Sequence, residues 1–136
     1  MILTTKGRYA VNSIFEIIEN NSDKPIKLSS ISKRQNISLP YLEQIFSKLK
    51  KHDIVRSIRG PGGGYKINSE RRITANDIIK AIGEKVKMTS CANENNCVKI
   101  EENNNKCKTH HIWKGLEKNI ESYFDSIIIH DLEGSL

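Results

Sequence analysis

Cys91, Cys97 and Cys107 are the only cysteines of this 136-residue chain, and His110 follows them to complete a C-x5-C-x9-C-x2-H pattern. Three thiolates and an imidazole in one polar stretch supply four donors, a full set for a tetrahedral metal or for an iron–sulfur cluster. Structural zinc sites usually space paired ligands two to four residues apart, and only Cys107 and His110 obey that rule. Cluster ligands tolerate wider spacing because they approach an inorganic core from different sides. Zinc remains the alternative at this point, as does a loop of free thiols, although free cysteines seldom gather in exposed polar segments. His111 competes with His110 for the fourth position. His52 and His130 lie far from the set and read as surface residues. An odd number of clustered thiols suits a reducing compartment better than a disulfide framework, so the chain is expected in the cytoplasm.

A second group of residues suits a different chemistry. The stretch Ser38-Leu39-Pro40-Tyr41-Leu42-Glu43-Gln44 opens a predicted helix over 39–52 that buries Leu42, Ile45, Phe46 and Leu49. Its opposite side carries Tyr41, Glu43, Gln44, Ser47, Lys48 and Lys51. Gln44 can pair bidentately with an adenine edge, Glu43 can accept from cytosine, and Tyr41 can reach a phosphate or a thymine methyl. Lys48, Lys50 and Lys51 suit backbone phosphates. Taken alone this is also what a solvated helix face looks like, so the flanking segments decide. Arg59 stands before Gly60-Pro61-Gly62-Gly63-Gly64-Tyr65, a turn slim enough to carry a guanidinium into a minor groove. A phosphate-binding loop is the rival reading of those glycines. It is discounted because the Gly-Lys-Ser/Thr ending and the following long helix are missing.

The elements that must position both groups can be read from periodicity and punctuation. Ala10, Val11, Ile14, Ile17 and Ile18 predict a helix over 5–19 opened by Thr4 or Thr5. Leu28 and Ile31 mark a short helix at about 28–35. Gln35-Asn36-Ile37-Ser38 makes the turn into the next helix, with Ser38 as N-cap and Pro40 in the first turn, where a missing N–H costs nothing. Two short helices joined by a tight turn form a helix-turn-helix. Ile54 to Ile58 and Tyr65 to Ile67 are strand-like and flank the glycines, giving a hairpin, the wing. Ile73 and the capping box Thr74-Ala75-Asn76-Asp77 start a helix that Gly83 closes. Residues 87–109 show no periodicity. From His110 the seam Trp113, Leu116, Ile120, Tyr123 and Ile127, widened by Phe124 and Ile128, predicts a long helix whose apolar stripe must be buried, either on its own domain or, the favoured reading, against a second copy.

Charge divides the chain in the same way. Residues 1–66 hold 12 Lys and Arg against 5 Asp and Glu, while residues 67–136 hold 10 against 11. A basic half joined to a near-neutral half fits one part meeting a polyanion. There is no apolar run long enough to span a membrane, and the opening Met1-Ile2-Leu3-Thr4-Thr5-Lys6 is not a signal peptide. No nucleophile and base pair up convincingly, so an enzyme is not expected.

The segments Leu3-Thr4-Thr5-Lys6-Gly7-Arg8-Tyr9-Ala10-Val11, Ile37-Ser38-Leu39-Pro40-Tyr41-Leu42-Glu43-Gln44, Val55-Arg56-Ser57-Ile58-Arg59-Gly60-Pro61-Gly62-Gly63-Gly64-Tyr65 and Cys107-Lys108-Thr109-His110 resemble the bacterial iron–sulfur cluster regulators of the IscR type. The likeness runs along nearly the whole chain. It implies a winged-helix homodimer that binds palindromic operators in double-stranded DNA, carries a 2Fe–2S cluster and represses genes for iron–sulfur cluster biogenesis. By position it implies Cys91, Cys97, Cys107 and His110 as ligands. It adds Ser38, Tyr41, Glu43, Gln44 and Arg59 as DNA contacts, beside Lys48 from the helix face and Gly60 and Gly62 from the wing. Two departures stand out. Cys97 and Cys107 are four residues further apart than is usual, an insertion around Asn103-Asn104-Asn105 that costs well under ~1 kcal/mol in loop closure. Arg8 stands where nitric-oxide-sensing relatives supply an acidic ligand, which favours the cluster-homeostasis type over nitric-oxide or iron sensors.

The expected fold is mainly α with a small β-hairpin wing. A winged helix-turn-helix domain covers 1–86, a ligand loop 87–109 and a dimerisation helix 110–131. Two rival classes are a zinc-stabilised module that docks its basic half on RNA or an acidic protein, and an electron-transfer protein.

Overall fold

Apolar residues from helices separated in sequence converge on one core. The computed structural model describes residues 4–20, 24–87 and 109–132. Helix α1 (Thr5–Glu19) contributes Ala10, Ile14, Ile17 and Ile18; α2 (Leu28–Gln35) adds Leu28 and Ile31; α3 (Leu39–Lys51) adds Leu42, Ile45, Phe46 and Leu49. Helix α4 (Ala75–Ala81) closes the cluster with Ile78 and Ala81. These positions recur every three or four residues, so each helix turns one stripe inward and leaves its charges outside. Between α3 and α4 runs an antiparallel hairpin, β1 (Val55–Ile58) and β2 (Gly64–Ile67), paired Val55 to Ile67 through Ile58 to Gly64. The winged helix-turn-helix expected from the sequence is therefore present, mainly helical with one two-stranded wing.

Local chemistry sets the helix ends. Helix α2 stops where Asn36 enters the left-handed region at φ 54°, and the Ile37 amide reaches back to the Ser32 carbonyl at 3.2 Å. Asp53 does the same after α3 at φ 59°, with the Ile54 amide on Leu49 at 3.0 Å and its own amide on Lys50 at 3.1 Å. Both follow the Schellman pattern, and Gly83 repeats it after α4. Thr74 and Asp77 form the capping box predicted for α4, each side chain accepting from the other's amide. Ser38 occupies the N-cap position of α3, but its hydroxyl makes no capping bond there, contrary to the expectation that it would cap.

The wing's glycines divide into two kinds. Gly60 to Gly63 close a turn, the Gly63 amide donating to the Gly60 carbonyl at 2.9 Å, with Pro61 second and Gly62 third at φ 75°. That is the type II pattern, which calls for glycine at the third place. Gly64 is needed for a different reason. Ile26 forms a bridge with Tyr65, and a Cβ on Gly64 would stand 2.3 Å from the Ile26 carbonyl oxygen. Gly64→Ala is expected to destabilise the protein by at least about 2 kcal/mol, because the two bridge hydrogen bonds and the packing behind them are displaced. Gly62→Ala, with open space around it, should cost about 1 kcal/mol from backbone strain alone. Urea unfolding of the two variants would show the order; equal losses would mean that the bridge contributes nothing.

The last helix is shorter than its heptad seam. Helix α5 spans His110–Ser126, and Ile127 is extended rather than helical. From there the chain turns back on its own domain: Ile128 bridges Thr74, the Ala75 amide bonds the Ile127 carbonyl at 2.9 Å, and the Ile129 amide bonds the Ile73 carbonyl at 2.8 Å. A short 3-10 turn, Ile129–Leu132, follows, with Ile129 fully buried in the winged-helix core. Helix α5 thus ends before the 131 predicted for it, and of residues 127–131 Ile129 alone is buried in the winged-helix core.

Candidate nucleic-acid interface

Helix α3 buries Leu42, Ile45, Phe46 and Leu49, which forces Glu43, Gln44, Ser47, Lys48 and Lys51 to the outside, where all five are exposed. Ser38 is exposed as well, its hydroxyl left uncommitted by the missing cap bond. Arg59, Gly60 and Gly62 form the exposed end of the wing. Tyr41 differs from the rest of the expected contacts. It is half-buried, packs against the core and meets the Tyr9 ring edge-on with centroids 5.9 Å apart. Its ring braces α1 against α3, so only its rim can face a ligand.

The electrostatics add a residue that spacing did not single out. Lys6, in the first turn of α1, has its pKa held below the ordinary lysine value by contact with the Lys48 ammonium, then by partial burial and by repulsion from Lys48; Glu84 pulls the other way. The first turn of α1 has no acidic residue and no side-chain cap, yet it carries Lys6 and Arg8. Cations there oppose the helix dipole, which favours anions at an N-terminus. The sequence signal was visible in Thr4-Thr5-Lys6-Gly7-Arg8, but only the fold brings it next to Lys48. An anion laid along this surface would relieve both unfavourable pairings. By contrast Arg56, also on the wing, is engaged by Glu70 at 2.8 Å, which raises its pKa and lowers that of the carboxylate.

Of the metal-ligand set, His110 is described and Cys91, Cys97 and Cys107 lie outside the described residues. His110 is the first residue of α5, half-buried, with the His111 ring edge-on at 5.8 Å and His111 exposed. Among the described residues no group of three or more His, Cys, Asp or Glu side chains could hold a metal ion. The donor set fits a 2Fe–2S cluster on its chemistry, three thiolates with one imidazole. Where the chain leaves for and returns from residues 88–108 there is a cavity of about 400 Å³, bordered by Lys80, Glu84, Val86, Lys114, Glu117 and Glu121. One carboxylate oxygen of Glu84 is buried there without a hydrogen-bond partner among the described residues.

Helix α5 presents two unlike sides. Glu117 is its one buried residue and pairs with Lys114 at 3.4 Å, whereas Ile112, Trp113, Leu116 and Tyr123 are 63%, 38%, 38% and 64% exposed. An apolar seam is thus left outside on a helix that already packs on α4. No helix among the described residues is long and apolar enough to cross a membrane.

Residues 3–134 match the Rrf2 family, described as iron-dependent transcriptional regulators. The HTH-type transcriptional regulator IscR of Yersinia pseudotuberculosis is 41% identical over 133 residues, covering 97% of this chain and 79% of that protein. Among solved structures, T. potens IscR superposes with a TM-score of 0.75 at 32% identity, covering 97% of this chain and 85% of that one. CymR, the global cysteine regulator of B. subtilis, superposes with a TM-score of 0.78 at 30% identity over 100% of this chain and 98% of that one.

Proposed function

We propose, on the premise that this chain belongs to the Rrf2 family of transcriptional regulators as an IscR-type member, that it binds palindromic double-stranded DNA as a homodimer and represses iron–sulfur cluster biogenesis genes according to cluster status. The observation that carries the DNA half is the outward face of α3. Gln44 and Glu43 are exposed there, with Lys48 and Lys51 further along the same face and Lys6 of α1 beside Lys48. In this reading α3 enters a major groove, Gln44 and Glu43 read base edges, and Ser38, Lys6 and Lys48 hold phosphates. Arg59 and the Gly60–Gly62 tip reach a neighbouring minor groove. The apolar seam of α5 pairs two copies, so that a two-fold protein meets a two-fold site. The compartment is the cytoplasm.

Cys91, Cys97, Cys107 and His110 would hold a 2Fe–2S cluster, whose bonds tie residues 88–108 to the start of α5. A histidine ligand raises the cluster's potential relative to an all-cysteine set. His110 sits at one end of α5 and the core-anchored residues 127–129 at the other, so a restraint at His110 bears directly on the helix that spaces the two reading heads. The likeness to a cysteine regulator at a TM-score of 0.78, beside 0.75 for the IscR structure, supports the reading that the scaffold alone does not set the signal. The ligand set does.

The test of this reading has two parts. Anaerobically purified protein should be red-brown with equal iron and acid-labile sulfide, and should select one duplex sequence from a random pool. Colourless protein with stoichiometric zinc would overturn cluster sensing, and failure to enrich any sequence would overturn operator binding. Lys48→Ala should weaken binding to all duplexes alike and reduce the slope of log affinity against log salt by about 0.9. Gln44→Ala should cost about 1–3 kcal/mol at particular base pairs and relax preference there. An equal loss on every sequence would remove Gln44 from base readout.

A further inference from the structure

Arg71 lies outside the helices and the wing, and neither base nor ligand chemistry accounts for it. It nevertheless touches three elements. One guanidinium nitrogen donates to the His52 carbonyl, at the C-cap of α3, and the other lies 3.7 Å from the Asp77 carboxylate. Asp77 is itself fixed, accepting from the Thr74 amide at 2.9 Å in the α4 capping box. The backbone carbonyl of Arg71 accepts from His130 Nε2 at 3.2 Å. His130 belongs to the segment that leaves α5 and is stitched to residues 73–75, and Asn76 Nδ2 adds a bond to Asp125 Oδ1, near the end of α5, at 2.9 Å. On the other side, His52 precedes Asp53 and Ile54, the hinge from α3 into the wing. Asn68 holds that hinge from the far strand end, its side chain on the Asp53 carbonyl at 2.9 Å and its amide on the Ile54 carbonyl at 3.0 Å.

An ion pair at 3.7 Å with both side chains partly exposed adds little to stability. The planar fork of arginine does something else: it bridges two acceptors held on different elements, which an ammonium does poorly. We propose that Arg71 is a positioning residue for DNA binding, coupling the last turn of α3 and the wing hinge to the segment that follows α5. Movement of α5 is then passed to the reading surface through Arg71. This rests on the DNA-binding reading above. The link is a physical chain of bonds, and coupling measurements must establish that it transmits.

The test compares wild type, Arg71→Ala, Arg71→Lys, His130→Ala and the Arg71→Ala/His130→Ala double variant, all as full-length dimers. The first readout needs no DNA: amide hydrogen exchange at Asp53 and Ile54 should speed up in both Arg71→Ala and His130→Ala. The second is affinity for a duplex that the wild type selects from a random pool. Arg71→Ala should lose about ten-fold, Arg71→Lys should regain only part of it, and the double variant should bind no more weakly than Arg71→Ala alone. The salt slope should not change, because the residue acts through α3 and not on a phosphate. A slope lower by about 0.9 would make Arg71 a direct phosphate contact and overturn the proposal. Unchanged exchange at Asp53 and Ile54, or additive losses in the double variant, would overturn it equally. If no duplex is selected at all, the DNA-binding reading falls, while the exchange data still decide whether the link exists.

Discussion

Leu116→Asp combined with Tyr123→Asp will split the proposed dimer into folded monomers. The two side chains lie on one stripe of α5 and are 38% and 64% exposed in the single chain, so the surface they offer is still available for burial. An isologous interface places each substitution twice, once from each copy. Burying a carboxylate in an apolar seam costs several kcal/mol per ion after relaxation. Even a total near 4–5 kcal/mol weakens dimerisation by about 10³-fold. The fold should survive, because the inward contacts of α5 are made by its other side and residues 127–129 remain anchored in the core. Lys118, exposed and across the helix from the seam, provides the control: Lys118→Asp should remain dimeric. Sedimentation or light scattering at micromolar concentration reads the outcome. DNA affinity should fall with the dimer by about 10²-fold or more, since the second half-site contact ceases to be intramolecular. A double variant that stays dimeric would mean that some other surface joins the copies, and the seam would need a different partner.

What the sequence made legible follows from the range of the interactions involved. The α4 capping box was readable because Thr74 and Asp77 sit three residues apart and settle their hydrogen bonds locally. The α2–α3 turn was readable because Asn36 tolerates the left-handed region. Asp53 was not, since its φ is imposed by Ile54 and Leu49 packing after the helix and no glycine marks the place. The glycine run read as one slim turn, whereas Gly64 is required by Ile26, a residue 38 positions earlier in the chain. The end of α5 was missed for the same kind of reason. Ile127 and Ile128 continue the apolar spacing, but their backbone groups pair with residues 73–75, and periodicity carries no information about where a backbone hydrogen bond goes. Lys6 went unnoticed because a cation in a first helical turn looks like noise until Lys48 is placed beside it. The outward face of α3 was legible except at Tyr41: helical geometry fixes which residues oppose Leu42 and Phe46, but not that Tyr9 of α1 packs on Tyr41.

The largest chemical effect is expected from the ligand set, and it separates two adjacent histidines. Cys91→Ala should abolish iron and sulfide binding while leaving a folded protein with residual DNA affinity, because the described core, from Ala10 to Ile129, is built by the winged helix and by Ile129 after α5. His110→Ala should have the same effect on iron content. His111→Ala should not, since His111 is exposed one position further around the first turn of α5 and a helix turns adjacent side chains about 100° apart. His110→Cys keeps four donors and should retain a cluster with a lower reduction potential, as thiolate replaces imidazole. Iron, sulfide and zinc assays on anaerobic protein, with redox titration of the cysteine variant, decide among these outcomes. Iron lost in His111→Ala but kept in His110→Ala would move the ligand by one residue and turn the site about 100° around α5. Zinc in place of iron in the wild type, held by the same residues, would leave the winged-helix fold intact but make the loop structural. A regulator built that way would have no labile centre at the end of α5, and Arg71 would have no cluster-driven movement to pass on.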